Sequence, residues 1–223
     1  MTNLDLDATG LEFPRTEVAL AALRLAEECE SVPLFHHSLR TYFFGRLVGE
    51  QLGLRAGEDY DDQLLFLGCV LHETGLSPRG DGSQRFEVDG ADLAAEFLAR
   101  QGLPAAEVEV VWDAIALHTT DTIALRKRPE IALVSRGARF DITGGPVSLP
   151  AGHVERVHAA LPRLDVASAL HEAIVGQTSR NPDKAPPFTL PGELHRQHTG
   201  AAWPTWEQLT ATSEWDGRTA ASR

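Results

Sequence analysis

The sequence is poor in cysteine. It contains two in 223 residues, Cys29 and Cys69, and their positions do not match a zinc-knuckle spacing. Both fall in helical patterns, and Cys69 lies inside an apolar run, so we interpret them as small core residues. A chain of this length can bury about 70% or more of its unfolded surface and needs no disulfide for stability. These features favour a reducing compartment.

Long apolar runs and excess positive charge are also missing. No segment approaches the roughly 20 apolar residues that span a membrane, and no basic start is followed by an apolar run of signal length. We therefore expect a cytoplasmic protein without a membrane partner. The formal net charge of −12 argues against nucleic-acid binding, which requires a basic face. Small molecules are the expected partners.

Strand-length alternation of apolar and polar residues is absent, and there is no internal repeat, which predicts an all-α fold in a single domain. We expect an N-terminal arm at residues 1–13, a helical domain at 14–177 and a tail at 178–223 that packs on this domain. The tail contains three tryptophans, Trp203, Trp206 and Trp215. We expect them to pack on their own chain; docking on a second copy in a homo-oligomer is the alternative.

Helical periodicity and end signals predict the following helices: 16–30, 34–52, 63–75, 89–100, 104–120, 129–141 and 150–174, the last divided or kinked at Pro162. Gly75 is expected to end its helix in the left-handed conformation. Asp89 is expected to cap the start of the helix that it opens.

The segment QLLFLGCVLHETG, which begins at Gln63, is strongly apolar. Every residue from Leu64 to Leu71 is apolar or glycine, so we expect a core helix that is buried on all sides. His72 and Glu73 follow directly and are thereby carried into the interior. Buried polar groups must be paired or bound to metal, because leaving them unsatisfied costs several kcal/mol.

Side chains that bind metals stand near several of the predicted helix ends. They are His37, His72, Glu73 and Asp141. Imidazole and carboxylate together suit zinc, iron or manganese. Spacing alone leaves two interpretations open for each residue, a metal ligand or a hydrogen-bonded structural residue. Periodicity also does not choose between His36 and His37, because both lie on helical stripes.

Five separated segments agree in order with a known family: HSLRTYFFG, VLHETG, RFEVDGADLA, VWDAIALHT and ALVSRGARFDITG. Together they resemble the HD-domain metalloenzymes, and within that superfamily the cyanamide hydratase group and its bacterial relatives. The resemblance covers residues from about 34 to 145. It implies an HD-domain helical bundle around a divalent metal ion.

The resemblance implies four metal ligands: His37, His72, Glu73 and Asp141. It also selects His37 over His36, through the HSLR segment. The sequence departs from the family at Glu73, where the usual residue is aspartate, so the carboxylate is displaced by about one bond length. Only His118 lies between His72 and Asp141 in the place of the further histidines of two-metal members. One ion is therefore expected, with zinc as the first choice and iron or manganese as alternatives.

The function that the resemblance implies is addition of water to cyanamide or a related nitrile, giving urea or an amide. A bound metal would supply hydroxide at neutral pH. Glu87 is the candidate proton shuttle and His118 its alternative, while Arg40 and Arg85 are candidates for binding substrate or orienting ligands.

Two other functions remain open. A phosphohydrolase acting on a nucleotide or other phosphoester would use the same metal and would need Arg40 and Arg85 to hold phosphate oxygens. A catalytically silent binding protein would follow if Glu73 had abolished metal binding.

Overall fold

The computed structural model describes residues 10–145 and 149–211. Within these ranges the chain forms eleven α-helices and no strand, which confirms the predicted all-α class. The helices are α1 (Glu17–Cys29), α2 (Val32–Gln51), α3 (Asp62–Leu71), α4 (Phe86–Arg100), α5 (Ala105–Leu117), α6 (Asp121–Ala124), α7 (Pro129–Thr143), α8 (Ala151–Ala160), α9 (Val166–Arg180), α10 (Leu190–Thr199) and α11 (Trp206–Ala211). Two 3-10 helices lie at Thr74–Leu76 and Pro182–Lys184. In these ranges no helix has the length and apolar character needed to cross a membrane.

Helix α3 lies at the centre of the fold. It packs against α1, α2, α5 and α7, and every residue from Leu64 to Leu71 is buried, as the apolar run predicts. Its start is capped by Asp61, whose carboxylate accepts hydrogen bonds from the backbone nitrogens of Gln63 at 2.8 Å and Leu64 at 3.0 Å. The C-terminal end of this helix therefore opens into the interior of the protein.

Helices α2 and α7 pack closely and run antiparallel. A Cβ atom added to Gly137 of α7 would lie 2.1 Å from the backbone oxygen of Thr41 in α2, so only glycine fits at this contact. One turn further along each helix, His37 of α2 bonds to Asp141 of α7. The backbone approach at Gly137 thus sets the distance between two of the predicted site residues.

The end of α3 differs from the prediction. The helix stops at Leu71, His72 is its C-cap in the right-handed conformation, and Gly75 lies in a 3-10 helix rather than in a left-handed cap. Glycine is needed at position 75 for another reason: a Cβ there would meet the backbone oxygen of Phe86 at 2.0 Å. The close approach of α4 therefore explains Gly75.

The prediction that Asp89 caps α4 is also wrong. The helix begins at Phe86, which places Asp89 in the first turn. The Asp89 carboxylate instead accepts a 2.8 Å hydrogen bond from the ammonium group of Lys184, which is buried. The same ammonium donates to Asp81 at 2.7 Å and to the backbone oxygen of Gly82 at 3.2 Å. Lys184 thus ties the loop before α4 to the C-terminal part of the chain.

The predicted break at Pro162 is confirmed, because α8 ends before it and α9 begins after it. Helix α9 continues to Arg180 rather than ending at 174, and α10 packs against it. Of the tail tryptophans, Trp203 stacks on Phe188 with ring centroids 5.7 Å apart, and Trp206 is 74% exposed. Trp215 and residues 1–9 of the predicted arm lie outside the described residues.

The contact at Gly137 can be tested with one added methyl group. We expect Gly137→Ala to lower the free energy of unfolding by about 1–3 kcal/mol, because the methyl overpacks the α2/α7 contact. Gly152 in α8 is a matched control, since nothing lies within 4 Å of a Cβ placed there. Gly152→Ala should be neutral or stabilising by up to about 1 kcal/mol. Equal denaturant midpoints for the two variants would contradict this packing.

Candidate metal centre

Four helices bring the predicted site residues together. Helix α2 carries His37, the end of α3 carries His72 and Glu73, the end of α5 carries His118, and α7 carries Asp141. All five side chains are buried. Charged and polar groups with so little exposed surface require hydrogen-bond partners or a bound ion.

Three of these residues converge on one point. The Nε2 atoms of His37 and His72 are 3.3 Å apart. The Oε1 atom of Glu73 lies 3.3 Å from Nε2 of His72 and 3.6 Å from Nε2 of His37. Across the described residues these three form the group that could hold a metal ion, with ligand atoms all within 4.8 Å of one another.

The protonation of the two histidines follows from their other ring nitrogens. Nδ1 of His37 lies 2.7 Å from the Asp141 carboxylate, and Nδ1 of His72 lies 2.6 Å from the backbone oxygen of Cys69. An ionised carboxylate and a carbonyl only accept hydrogen bonds, so both Nδ1 atoms carry the proton. In the neutral rings both Nε2 atoms therefore present lone pairs to each other. Such a pair is repulsive unless a cation, a proton or a hydrogen-bond donor such as water lies between the two nitrogens.

Glu73 supplies a negative charge to the same point. Burial by itself raises the pKa of its carboxyl, but the neighbouring histidines His72, His118 and His37 together outweigh burial and hold the pKa at about 2. Its second oxygen, Oε2, is buried and has no hydrogen-bond partner among the described residues. Two imidazole nitrogens and a carboxylate with an unpaired oxygen are a donor set that suits a divalent ion.

The extra methylene of Glu73 is accommodated by the turn that follows α3. Glu73 lies outside the helix, with backbone angles of φ −99° and ψ 0°. From this position its carboxylate reaches the two Nε2 atoms despite the longer side chain. Glutamate in place of the usual aspartate therefore still brings a carboxylate to the two histidines of the candidate group.

Asp141, the fourth predicted ligand, is placed differently from the other three. Its carboxylate accepts hydrogen bonds from His37 Nδ1 and, as a bidentate pair, from Arg40 Nε and Nη2, all at 2.7 Å. It contacts the far side of the His37 ring and lies outside the group of three. Burial by itself raises the pKa of Asp141, but His37 and Arg40 hold it well below its usual range. A carboxylate in this position can orient a ligand histidine through its second ring nitrogen.

Contacts within the protein engage four of the five N–H donors of Arg40. Besides Asp141, it donates from Nη1 to the backbone oxygens of Leu161 at 3.2 Å and Pro162 at 2.9 Å. The side chain is fully buried. Of its two predicted roles, orienting the ligands is the one that these contacts support.

The adjacent histidine, His36, faces another part of the fold. Its Nδ1 lies 3.1 Å from the backbone oxygen of Pro162, and it is not part of the candidate group. The geometry thus separates the two histidines that periodicity left equivalent, and it places His37 in the group.

His118 lies beside the candidate group and lines a cavity of about 490 Å³ together with His37 and Glu73. Its ring packs edge-on against His72, with centroids 4.8 Å apart. Nδ1 lies 2.6 Å from the backbone oxygen of Ile115, which again leaves Nε2 with a lone pair. Burial and the neighbouring His72 lower the pKa of His118 to about 4, so the ring is neutral at pH 7.

The other predicted proton shuttle, Glu87, is fully engaged elsewhere. It forms an ion pair with Arg85 and accepts a 2.6 Å hydrogen bond from the hydroxyl of Thr119. Its neighbour Phe86 lines the cavity, but Glu87 does not. Arg85 also donates to Thr119 at 3.0 Å. We therefore assign neither Glu87 nor Arg85 to direct contact with a substrate.

Several residues around the site escaped sequence reasoning. Arg163 donates a hydrogen bond to the backbone oxygen of Asp141. Nε2 of His158 lies 3.9 Å from the carboxylate of Asp141. Leu170 and His171 of α9 and Leu194 of α10 line the cavity. The spacing of Ala167, Leu170 and His171 is that of one helical face, a signal that could have marked this face of α9 as part of the site.

The role of Asp141 can be tested by Asp141→Asn. We expect the affinity for zinc to fall about 10- to 100-fold, because the charge that orients His37 is lost. Calorimetric titration of chelator-treated protein measures this change. Asp89→Asn, which alters another buried ion pair outside the site, should leave the zinc affinity unchanged. A loss as great as that in His37→Ala would instead identify Asp141 as a direct ligand.

Comparison with known proteins bears on the same region. The family model described as "HD domain" matches residues 34–142. This range contains all five buried site residues and closely follows the segments that carry the resemblance. A comparison with curated proteins found no match, so the finer resemblance to cyanamide hydratases stays a prediction. Residues 34–142, just under half of the chain, are thus similar to an HD domain.

Proposed function

We propose that this protein is a metal-dependent enzyme that adds water to a small uncharged substrate, with cyanamide or a related nitrile as the substrate class. HD domains bind divalent metal ions, and their family consists mostly of metal-dependent hydrolases. His37, His72 and Glu73 would hold the ion, for which zinc is the first choice and iron or manganese are alternatives.

The observation that carries the proposal is the meeting of two Nε2 lone pairs at 3.3 Å beside a carboxylate. A structural interpretation would give each buried histidine a donor and an acceptor. Here both rings use Nδ1–H for a fixed acceptor and direct the remaining lone pair to the same point. A divalent ion that accepts both lone pairs and pairs with the Glu73 carboxylate satisfies this arrangement.

His37, His72 and Glu73 would hold the ion, which would lower the pKa of a water molecule toward about 7 and so supply hydroxide. In hydration of a nitrile, the water oxygen bonds to the nitrile carbon and the nitrogen gains the protons; cyanamide then gives urea. His118 lines the same cavity with an unprotonated Nε2. It can accept a proton from the water and return it to the nitrile nitrogen. Thr119, beside it, is held by Arg85 and Glu87.

Phosphoester hydrolysis is the second candidate, and the positions of the arginines count against it. Arg40 is paired with Asp141 and Arg85 with Glu87. Arg139, which lines the cavity, forms an ion pair with Asp121. A phosphate would have to break one of these pairs to gain the cationic contacts that stabilise its transition state.

The catalytically silent alternative rests on Glu73. Its carboxylate lies within reach of both Nε2 atoms, which favours a working ligand. An activity that is absent in the natural protein and is restored by Glu73→Asp would support the silent alternative.

Metal content gives the first test. The natural protein should retain about one equivalent of ion per chain, while His72→Ala and Glu73→Gln should lose most of it, since each change removes one donor. His36→Gln is the matched control, a buried histidine next to His37 but outside the group, and it should keep the ion. Elemental analysis and melting with and without added zinc measure both effects.

Activity gives the second test. Urea release from cyanamide and amide formation from nitriles are compared with phosphate release from a nucleotide panel, using metal-loaded protein. We expect the natural protein to hydrate nitriles and the Glu73→Gln variant to lose this activity. Phosphate release without nitrile turnover would overturn the proposed substrate class, and a protein that binds no ion would overturn the metal-dependent function itself.

A further inference from the structure

The cavity beside the candidate metal centre is far larger than cyanamide, which has three heavy atoms. Its volume is about 490 Å³, roughly 16 times the 30 Å³ that a water molecule occupies in the liquid. Cavities of roughly 300–1,000 Å³ hold ligands of drug-like size. A small nitrile would therefore leave most of this space to water.

Most of the cavity wall is apolar. The apolar side chains come from four helices: Phe86 of α4, Ile142 of α7, Leu170 of α9, and Leu190 and Leu194 of α10. Water against such walls is unfavourable, so filling the space with apolar atoms is favoured at about 25 cal/mol for each Å² buried. The cavity thus combines a polar end, formed by His37, Glu73 and His118, with an apolar body.

Charges at the wall are balanced. Arg139 and Asp121 both line the cavity, and they form an ion pair with each other. The remaining polar residues of the wall are Thr119, Thr143 and His171. A ligand that carried a net charge in its body would meet no unpaired opposite charge among these residues. An uncharged body fits the wall better.

Two of the contributing helices lie outside the HD domain. Helices α9 and α10 follow residue 142, where the family match ends. They supply Ala167, Leu170, Leu190 and Leu194 to the cavity. Leu190 is 37% exposed, so this part of the wall borders solvent. The segment after residue 142 therefore extends the apolar wall of a chamber whose polar end, at His37, Glu73 and His118, lies within residues 34–142.

We propose that the substrate carries an uncharged alkyl or aryl group, and that Leu170 and Leu194 bind this group while the reacting nitrile lies at His37, Glu73 and His118. This inference rests on the proposed function for the reacting bond. It adds that α9 and α10 determine specificity. Substituted cyanamides and nitriles such as phenylcyanamide, hexanenitrile and benzonitrile are then better substrates than cyanamide.

A chain-length series tests the inference on the metal-loaded full-length protein. From propionitrile to hexanenitrile, kcat/KM should rise about fourfold for each methylene, which corresponds to burial of about 0.8 kcal/mol per CH₂. Ala167→Phe fills the cavity from an exposed position on α9, so it should fold normally. It should reduce the ratio of kcat/KM for benzonitrile to that for cyanamide at least tenfold, and Leu194→Ala should flatten the chain-length series.

Leu52→Ala is the matched control, because Leu52 is a partly exposed leucine that does not line the cavity. It should leave both ratios as in the natural protein. A natural protein that prefers cyanamide to every larger nitrile, or an Ala167→Phe variant with an unchanged ratio, would overturn the inference.

Direct binding separates this inference from the proposed function. Benzonitrile binding to the metal-loaded protein is measured by calorimetry, without reliance on turnover. If no nitrile is turned over but benzonitrile binds and Ala167→Phe abolishes its binding, the hydration function fails while the apolar-ligand chamber stands. If neither turnover nor binding of any nitrile is found, both are overturned.

Discussion

The site depends on the two hydrogen bonds that His37 and His72 make through Nδ1. Each ring donates to a group that only accepts, the Asp141 carboxylate in one case and the Cys69 carbonyl in the other. This fixes the proton on the outer nitrogen and leaves both inner Nε2 atoms with lone pairs at 3.3 Å from each other. Glu73 adds an ionised carboxylate with an unpaired oxygen. The interior of the protein thus presents two lone pairs and a negative charge at one point, an arrangement that favours a bound cation.

The rest of the fold maintains these two hydrogen bonds. The antiparallel packing of α2 and α7 at Gly137 brings Asp141 to His37, and Arg40 compensates the buried carboxylate with a bidentate pair. Breaking a buried ion pair of this kind by removing one partner costs several kcal/mol, so Arg40 and Asp141 also hold the helices together. On the other side, the end of α3 directs His72 and Glu73 inward. Stability and the geometry of the site therefore rest on the same contacts.

Sequence reasoning predicted the helical class, the core position of α3 and the buried residues at its end. These features follow from local patterns, such as the apolar run from Leu64 to Leu71. It did not predict the roles of Gly75 and Asp89. Gly75 is needed because the backbone of Phe86 approaches it, and Asp89 pairs with the ammonium of Lys184. Neither contact can be read from the residues that are adjacent in the sequence. The orienting contacts of Asp141 depend in the same way on tertiary packing. The walls that α9 and α10 add to the cavity show only as a short helical stripe in the sequence.

The most direct test is a crystal structure of the protein loaded with zinc, with the ion located by anomalous scattering. We expect one ion that contacts His37 Nε2, His72 Nε2 and the Glu73 carboxylate, while Asp141 remains bonded to His37 Nδ1 and Arg40. An ion bound by Asp141 with His37 turned around, or a zinc-soaked crystal with no ion between the two histidines, would contradict it.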